Sequence, residues 1–373
     1  MPDNLDQINV TTRRMIRENP QLIDGVYNQD ALNYFLRENL KEDFSGGSSI
    51  NEDFIYASMI GGGYAKGKRF NTAQRQTEQQ LRWNVITTQV SVPLYMEDFR
   101  IFNKGPLAAV KLLKARVNQA FMSLGEFVSI SCYLNGVNAG YAGVNPNGLA
   151  EALNDGSVAS WDGNTYPTYG GLTRATYASA LNSTPVNING GTLEYDTIDA
   201  QYQAVNYGSG KYEPNLMVTT PTGLSFMKAK YQTQQRFQDA KLEVGIGFRG
   251  LSFNGATVVS SRLCPGSYLI GPTNTGLADT VATTYLTETS NNTVTAYPAG
   301  NLYPSSKPCE TLFILNARSP FLNYYVSDDP LFGGGFRDFI PEANSTVVVG
   351  QVLLGHNLTV FPRYHKQIYG FAS

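Results

Sequence analysis

Residues 61–70 read GGGYAKGKRF, in which Gly62 is followed by four residues and then Gly67-Lys68. That is the glycine and lysine spacing of a loop that cradles nucleotide phosphates through its backbone N–H groups. The chemistry also needs a Ser or Thr after the lysine to hold Mg²⁺, and here that residue is Arg69. The following FNTAQRQTEQQLRW carries no apolar stripe that would seat a helix on a sheet. The stretch therefore reads as a basic, glycine-rich loop tip. GSGKY, beginning at Gly208, is a second glycine–lysine loop without a phosphate-site context.

The remaining candidates for chemistry are few. His356 and His365 are the only histidines and lie in the last predicted strands. Without a His-Glu-x-x-His or Gly-x-Ser-x-Gly motif, neither a zinc site nor a nucleophile elbow is signalled, and surface or satisfied core roles are expected. Asp328-Asp329-Pro330 offers a carboxylate pair, but adjacent aspartates before a proline are the residues of a turn. Cys132, Cys264 and Cys309 are odd in number and far apart, which gives no disulfide framework and no metal spacing and fits a reducing compartment. No catalytic, cofactor-binding or metal-binding constellation emerges, and the chain is not expected to be an enzyme.

Composition narrows the classes. At 373 residues the chain suggests roughly two or three domains of ~150 residues. Charged residues make up only 16%, against about 25% in ordinary soluble proteins, while 23 Tyr and 19 Phe bring aromatics to 12%. Low charge with many aromatics is what an extensive protein–protein interface demands, and a β-rich extracellular domain shares that bias. The net charge of −2 excludes a basic wrapper of nucleic acid. The opening MPDNLDQINVTTRRM lacks the apolar core of a secretory signal, and no run of 18 apolar residues marks a membrane span.

The elements that must position these residues can be read in order. Residues 1–45 hold helical patches such as NQDALNYFLRENLK, with Leu32, Phe35, Leu36 and Leu40 as the apolar residues of an arm that gains order by lying on something. Residues 46–95 read as a long two-stranded excursion around the basic tip, out along FIYASMI and back along LRWNVITTQVSVPLYM. On the return, Leu81, Trp83 and Val85 alternate on one face before Ile86, Thr88, Val90 and Val92 take over, a slip that predicts a bulge or bend. A helix over about 105–135 follows, opened by Pro106 and stopped at Gly136. Its apolar stripe runs through Val110, Leu113, Val117, Phe121, Leu124, Val128 and Cys132. Residues 137–195 are poor in charge and read as irregular, surface-draped chain. Beyond them come a helix in DTIDAQYQAVNYG, a strand in NLMVTT, and a helix capped by Thr220 with Pro221 next. A hairpin turning at Asn254-Gly255 and strands in TLFILN, STVVVGQVLLG and NLTVFPRY complete the chain.

The order of these elements resembles the major capsid proteins of tailed bacteriophages, whose fold also builds herpesvirus floors and encapsulin shells. The likeness is carried by RWNVITTQVSVPLYMEDFRIFNKG running into AAVKLLKARVNQAFMSLGEFVSISCYLNG. It continues through YGGLTR, PNLMVTTPTGLSFM, GIGFRGLSFNGATVV and GQVLLGHNLTVFPRYHKQIYG. The resemblance implies an α+β fold with an N-terminal arm (1–45), an extended two-stranded loop (46–95) and a peripheral domain with the spine helix (96–190). An axial domain (191–312) and returning peripheral strands (313–373) complete it. It implies a structural subunit that self-assembles, as pentamers and hexamers, into an icosahedral shell enclosing double-stranded DNA with few specific contacts. Portal, a separate scaffolding protein and a decoration protein are the implied partners, and no membrane is involved. Assembly in the bacterial host cytoplasm and residence in the virion follow. Lys66, Lys68 and Arg69 would then meet a neighbour's carboxylates and not a phosphate. The arm is shorter than the scaffolding segment that some members shed, so an uncleaved subunit is expected. An encapsulin-like cargo shell and a secreted glycan-binding β-rich adhesin are the alternatives.

Overall fold

The computed structural model describes residues 2–18, 30–47, 49–69, 73–95, 97, 106–134, 136, 146–208, 210–232, 243–244, 248–249, 251–266, 310–341 and 346–371. The chain starts with helix α1 (Pro2–Glu18) and helix α2 (Ala31–Leu40). Asp30 caps α2, its side chain accepting from the N–H groups of Leu32 and Asn33 at 3.1 and 3.3 Å. Leu32, Leu36 and Leu40 are buried and Phe35 packs half-buried against the same core, so the apolar face of the arm docks on its own chain.

Strands β1 (Lys41–Phe44), β2 (Ile50–Ile55), β3 (Glu78–Trp83) and β4 (Ile86–Tyr95) precede the long helix α3 (Pro106–Ser131). β2 and β3 form an antiparallel ladder from Ile50 opposite Trp83 to Ile55 opposite Glu78. Among the described residues the strand pairing expected along the whole excursion is thus confined to its root, from Ile50 to Ile55. Three consecutive glycines, Gly61 to Gly63, have open space where a Cβ would sit and offer nothing to pack, so no pleated pair is nucleated there. The slip at 83–86 is also not a bulge. β3 ends at Trp83 on β2, and β4 then joins a different sheet.

Helix α3 has the expected face: Leu113, Val117, Phe121, Leu124 and Val128 are all buried, and the helix lies against β4. Its 26 residues span about 39 Å at ~1.5 Å per residue. It stops at Ser131, and Cys132 to Leu134 turn away from it.

Residues 146–194 correct the expectation of surface-draped chain. Short pieces only are regular here: α4 (Leu149–Ala152), β5 (Thr168–Tyr169), β6 (Leu172–Thr173), α5 (Ala178–Leu181) and β7 (Val186–Asn187). Yet Leu149, Leu153, Trp161, Tyr169 and Leu181 belong to the main core. Poverty in charge marked chain that goes inside, where charges are costly.

The second half supplies α6 (Tyr195–Val205), β8 (Leu216–Thr219), α7 (Pro221–Gln232), β9 (Glu243–Val244), β10 (Phe248–Arg249), β11 (Leu251–Phe253) and β12 (Ala256–Ser260). It ends with β13 (Glu310–Leu315), β14 (Leu322–Ser327), β15 (Gly333–Pro341), β16 (Val347–Val360) and β17 (Lys366–Phe371). Thr220 caps α7, its hydroxyl accepting from Gly223 N–H at 3.0 Å. Asn254 and Gly255 both take positive φ, 46° and 84°, as a two-residue hairpin turn requires. The strands expected on either side of Gly355-His356 are one strand of 14 residues, β16, because the pairing with β4 runs unbroken through Gly355 to His356 and the pairing with β14 continues from His356 to Val360.

Two sheets organise the chain. One has the order β1-β14-β16-β15, with β4 also on β16, and α1 rests on its β15 strand. The contact is specific: Asn9 exchanges hydrogen bonds with the Phe339 backbone, and Arg13 pairs with Asp338. The other sheet runs β11-β12-β8-β13-β17-β7. Its successive residues face two different cores: Leu216, Val218, Phe313 and Leu315 enter the large one, and Met217, Leu312 and Ile314 a smaller one under α6 and α7. A sheet buried on both faces reads as a continuous apolar run, which is why TLFILN shows no alternation.

Candidate assembly interface

The loop between β2 and β3 is anchored at its root. Tyr177 packs edge-on against Phe54 and Tyr56, with ring centroids 6.0 and 4.9 Å apart. Its hydroxyl accepts from Gln79 Nε2 at 3.0 Å, and Ser179 Oγ donates to the Tyr56 carbonyl at 3.2 Å. Tyr56 Oη donates to the Gln76 carbonyl at 2.9 Å, tying the outgoing chain to the returning one. Glu52 joins the root to the first sheet, its Oε1 accepting from Thr359 Oγ1 at 2.6 Å and Asn323 Nδ2 at 3.2 Å. Burial raises the pKa of Glu52, against the opposing pull of those hydrogen bonds.

The tip has no such anchorage. Residues 58–69 are all exposed. Lys68 N–H donates to the Ala65 carbonyl at 3.0 Å and Gly67 sits at φ +86°, which makes Ala65–Lys68 a β-turn whose third residue must tolerate the left-handed region. Gly67 is therefore a turn residue. β2 ends at Ile55, and residues 73–77 lead into strand β3 and not into a helix, so the framework of a phosphate cradle is missing. Lys66, Lys68 and Arg69 are exposed, and among the described residues none of their side chains has an ion-pair partner. Met59 is 77% exposed, with Ile55 and Tyr64 at 68% and 64%.

The other sequence candidates do not gather at the loop tip into a single site. His365 is a satisfied core residue: its Nδ1 accepts from Asn316 N–H at 3.1 Å, and Nε2 lies 3.0 Å from the Phe321 carbonyl. His356 is buried against the Tyr324 ring with no hydrogen-bond partner on either nitrogen, and burial lowers its pKa to about 3. Asp329 is a turn residue whose Oδ1 accepts from the N–H groups of Leu331 and Phe332 at 2.8 and 3.2 Å. Lys211 sits in a single 3₁₀ turn, Gly210–Tyr212, with no helix to follow. Cys132 and Cys264 are buried thiols whose pKa burial drives up, the opposite of an activated nucleophile. Cys309 lies outside the described residues. Among the described residues no cluster could hold a metal ion, and no helix is long and apolar enough to cross a membrane.

What sequence reasoning missed is a set of buried charges. Arg174 is fully buried, donating to the carbonyls of Glu151 and Ala152 at 2.6 and 3.2 Å and also to that of Leu181, with its guanidinium 4.9 Å above the Tyr169 ring. Burial lowers its pKa to about 10. Glu151 accepts from Gly136 N–H and Asn147 Nδ2 at 3.1 and 2.9 Å. Asp30 accepts from Tyr133 Oη at 3.1 Å and from Ser261, besides capping α2, and burial raises its pKa. The signal was present in the scarcity of charge: of Glu151, Asp155, Asp162 and Arg174, the only charged residues between 137 and 190, three are buried.

No protein-family model and no curated protein matches the sequence. Solved structures do. A chain of the cyanophage A-1(L) capsid asymmetric unit is 14% identical and superposes with a TM-score of 0.57, covering 90% of this chain and 91% of that one. A chain from the head of Helicobacter pylori bacteriophage KHP40 is 11% identical, with a TM-score of 0.49 over 89% and 86%. The holo-SrpI encapsulin complex from Synechococcus elongatus PCC 7942 follows at 10% identity and 0.43, over 91% and 87%. The first of these shows the fold. This chain has the α+β fold of a tailed-phage capsid protein along nearly its whole length.

Proposed function

We propose that the chain is the major capsid subunit of a tailed bacteriophage, one of many copies that close into an icosahedral shell around double-stranded DNA. The observation that carries this reading is the correspondence, over 90% of this chain and 91% of the other, with a chain of a phage capsid asymmetric unit. The exposed loop supports it, because Met59 and Ile60 present exposed apolar surface there. In this reading residues 1–45 are the arm, 46–95 the extended loop, 96–190 with 313–373 the peripheral domain and 191–312 the axial domain at the capsomer axes. Lys66, Lys68 and Arg69 meet carboxylates of a neighbouring copy within pentamers and hexamers. Portal, a separate scaffolding protein and a decoration protein are further partners, and a net charge of −2 leaves few contacts to DNA. Assembly takes place in the bacterial cytoplasm and the product resides in the virion.

Electron microscopy of the purified protein tests the reading. Closed shells are expected; a lasting 40.9 kDa monomer, even beside its co-expressed partners, would sink it. Shells packed with protein cargo and no DNA would favour an encapsulin-like role. Reversing Lys66, Lys68 and Arg69 to Glu should abolish or weaken shells while the isolated subunit melts as before. An exposed ion pair is worth only ~0–1 kcal/mol, but a shell repeats the loss at every copy. ATP hydrolysis abolished by Lys68→Ala would overturn the assignment of the tip.

A further inference from the structure

Where the extended loop leaves the body, a cavity of about 260 Å³ opens between β2, the Gly210–Tyr212 turn, the chain just before β14 and the connection from β16 to β17. Its floor is apolar, with Phe54, Pro320 and Phe321. Phe321 and Tyr364 stack at 4.2 Å between centroids, and Tyr212 packs on Phe321 at 5.7 Å. Two cations stand over these aromatics. The Arg363 guanidinium lies 4.2 Å from the centroid of the Tyr207 ring and 6.0 Å from that of Tyr364, and Lys211 Nζ lies 5.3 Å from that of Tyr212. Among the described residues neither side chain has a hydrogen-bond or ion-pair partner, and Arg363 Nε is buried and unpaired.

That arrangement differs from those of Arg174 and Arg318, whose terminal nitrogens donate to backbone carbonyls. Arg174 donates through its terminal nitrogens to three carbonyls, although its Nε is also buried and unpaired, and Arg318, beside the same turn, donates to the carbonyls of Gly210 and Glu213 at 2.9 and 2.7 Å. A guanidinium that is partly desolvated without an acceptor forgoes its strongest interactions. Stacking fixes the planar fork in advance, so little side-chain freedom is lost when a carboxylate meets it. We propose that this pocket receives an acidic side chain of a second copy of the chain, a contact additional to that of the basic loop tip.

Protein is favoured over nucleic acid as the source of the anion. Asp53 lines the same cavity, and its carboxylate opposes a run of phosphates. The cationic site is a single pocket with an apolar floor. The chain also carries its own exposed carboxylates on a separate surface, where Asp328 and Asp329 line another depression beside Arg37 and the Lys41–Asp43 ion pair at 2.8 Å. Unpaired cations in one pocket and the Asp328 and Asp329 carboxylates at another describe a head-to-tail contact, the kind that closes into rings. The inference rests on the self-assembly proposed above.

The test is a cryo-electron microscopy map of shells assembled from the full chain. A neighbour's Asp or Glu within ~4 Å of Arg363 or Lys211 is expected. A pocket open to solvent, or filled by nucleic acid, overturns the proposal. Independently, Arg363→Gln with Lys211→Gln should raise the protein concentration needed for assembly by at least ~tenfold while far-ultraviolet circular dichroism stays unchanged. If that variant does not fold, the map alone decides. Equal assembly by a folded variant refutes the pocket and leaves the capsid reading standing; a wild-type chain that never assembles removes both.

Discussion

Two stretches of this chain hold little regular structure among the described residues and are rich in glycine, yet one is interior and the other projects. Residues 146–194 bring Trp161, Tyr169 and Leu181 into the main core, and Arg174 collects backbone carbonyls from three residues that no strand or helix satisfies. Residues 56–69 and 73–77 carry Met59, Ile60 and Tyr64 outward, and the Ala65–Lys68 turn, the Gln76 and Thr77 bonds to Tyr56 and the Ser179 bond to the Tyr56 carbonyl are among the contacts of their backbone. Irregular backbone is therefore not a synonym for loose chain. What differs is where its polar groups find partners: inside one subunit in the first case, and on a neighbour, in the reading proposed here, in the second.

The sharpest way to break this contrast is to remove the internal partner. Arg174→Met keeps much of the side-chain volume but strips donors from the carbonyls of Glu151, Ala152 and Leu181 and leaves Glu151 without its nearest cation. A loss of about 3–5 kcal/mol in urea unfolding of the isolated subunit is expected. A loss below that of an ordinary surface substitution would mean that the segment is not held as described.

A pair of glycine substitutions sharpens the comparison at intermediate size. Gly170 sits at φ +54°, and a Cβ there would lie 2.6 Å from Leu81 Cδ2. Gly170→Ala combines backbone strain of ~1–2 kcal/mol with overpacking of ~1–3 kcal/mol. Gly67, at φ +86°, has nothing within 4 Å, so Gly67→Ala should cost only the strain of ~1–2 kcal/mol. The melting temperature should fall further for Gly170→Ala. Equal shifts would place the loop tip against the body and contradict its exposure.

How much of this was legible in the sequence depended on whether a pattern was periodic. The α3 stripe, the Thr220 cap and the Asn254-Gly255 hairpin follow local rules and stand where those rules put them. The docking residues of α2 were legible for the same reason. The interior course of 146–194 was not, because Trp161, Tyr169 and Arg174 are buried one by one along an irregular path with no repeat to detect. The change of phase after Trp83 was visible but misassigned: a strand that moves from β2 to β16 and a strand with a bulge produce the same slip in one sequence. Among the candidate site residues, the exposure of Lys66, Lys68 and Arg69 follows from their glycine-rich setting. Their partners cannot be read there, because those lie on another chain in the proposed assembly.

Glu52 tests the hinge between the two kinds of region, and its expected effect is the smallest. It sits on β2 at the root of the projecting loop, and the groups packed around its carboxylate are Thr359, Asn323 and Tyr325, with the Glu42 charge adding to the effect of burial. Burial raises its pKa above the ordinary 4.5, so the folded chain holds this proton more tightly than the unfolded chain does. Stability from this group is complete below pH 4.5 and is lost as pH rises from there through the folded value. Glu52→Gln keeps an Oε1 that can accept from Thr359 and Asn323 while removing the titration. Below pH 4.5 the variant and the wild type should agree within about 0.5 kcal/mol in urea unfolding. Above it the wild type alone should lose stability with rising pH, and the two curves should separate in the variant's favour. Curves that stay parallel across that window, or a wild type that gains on the variant as pH rises, would show that the root is not held through a buried, protonatable carboxyl.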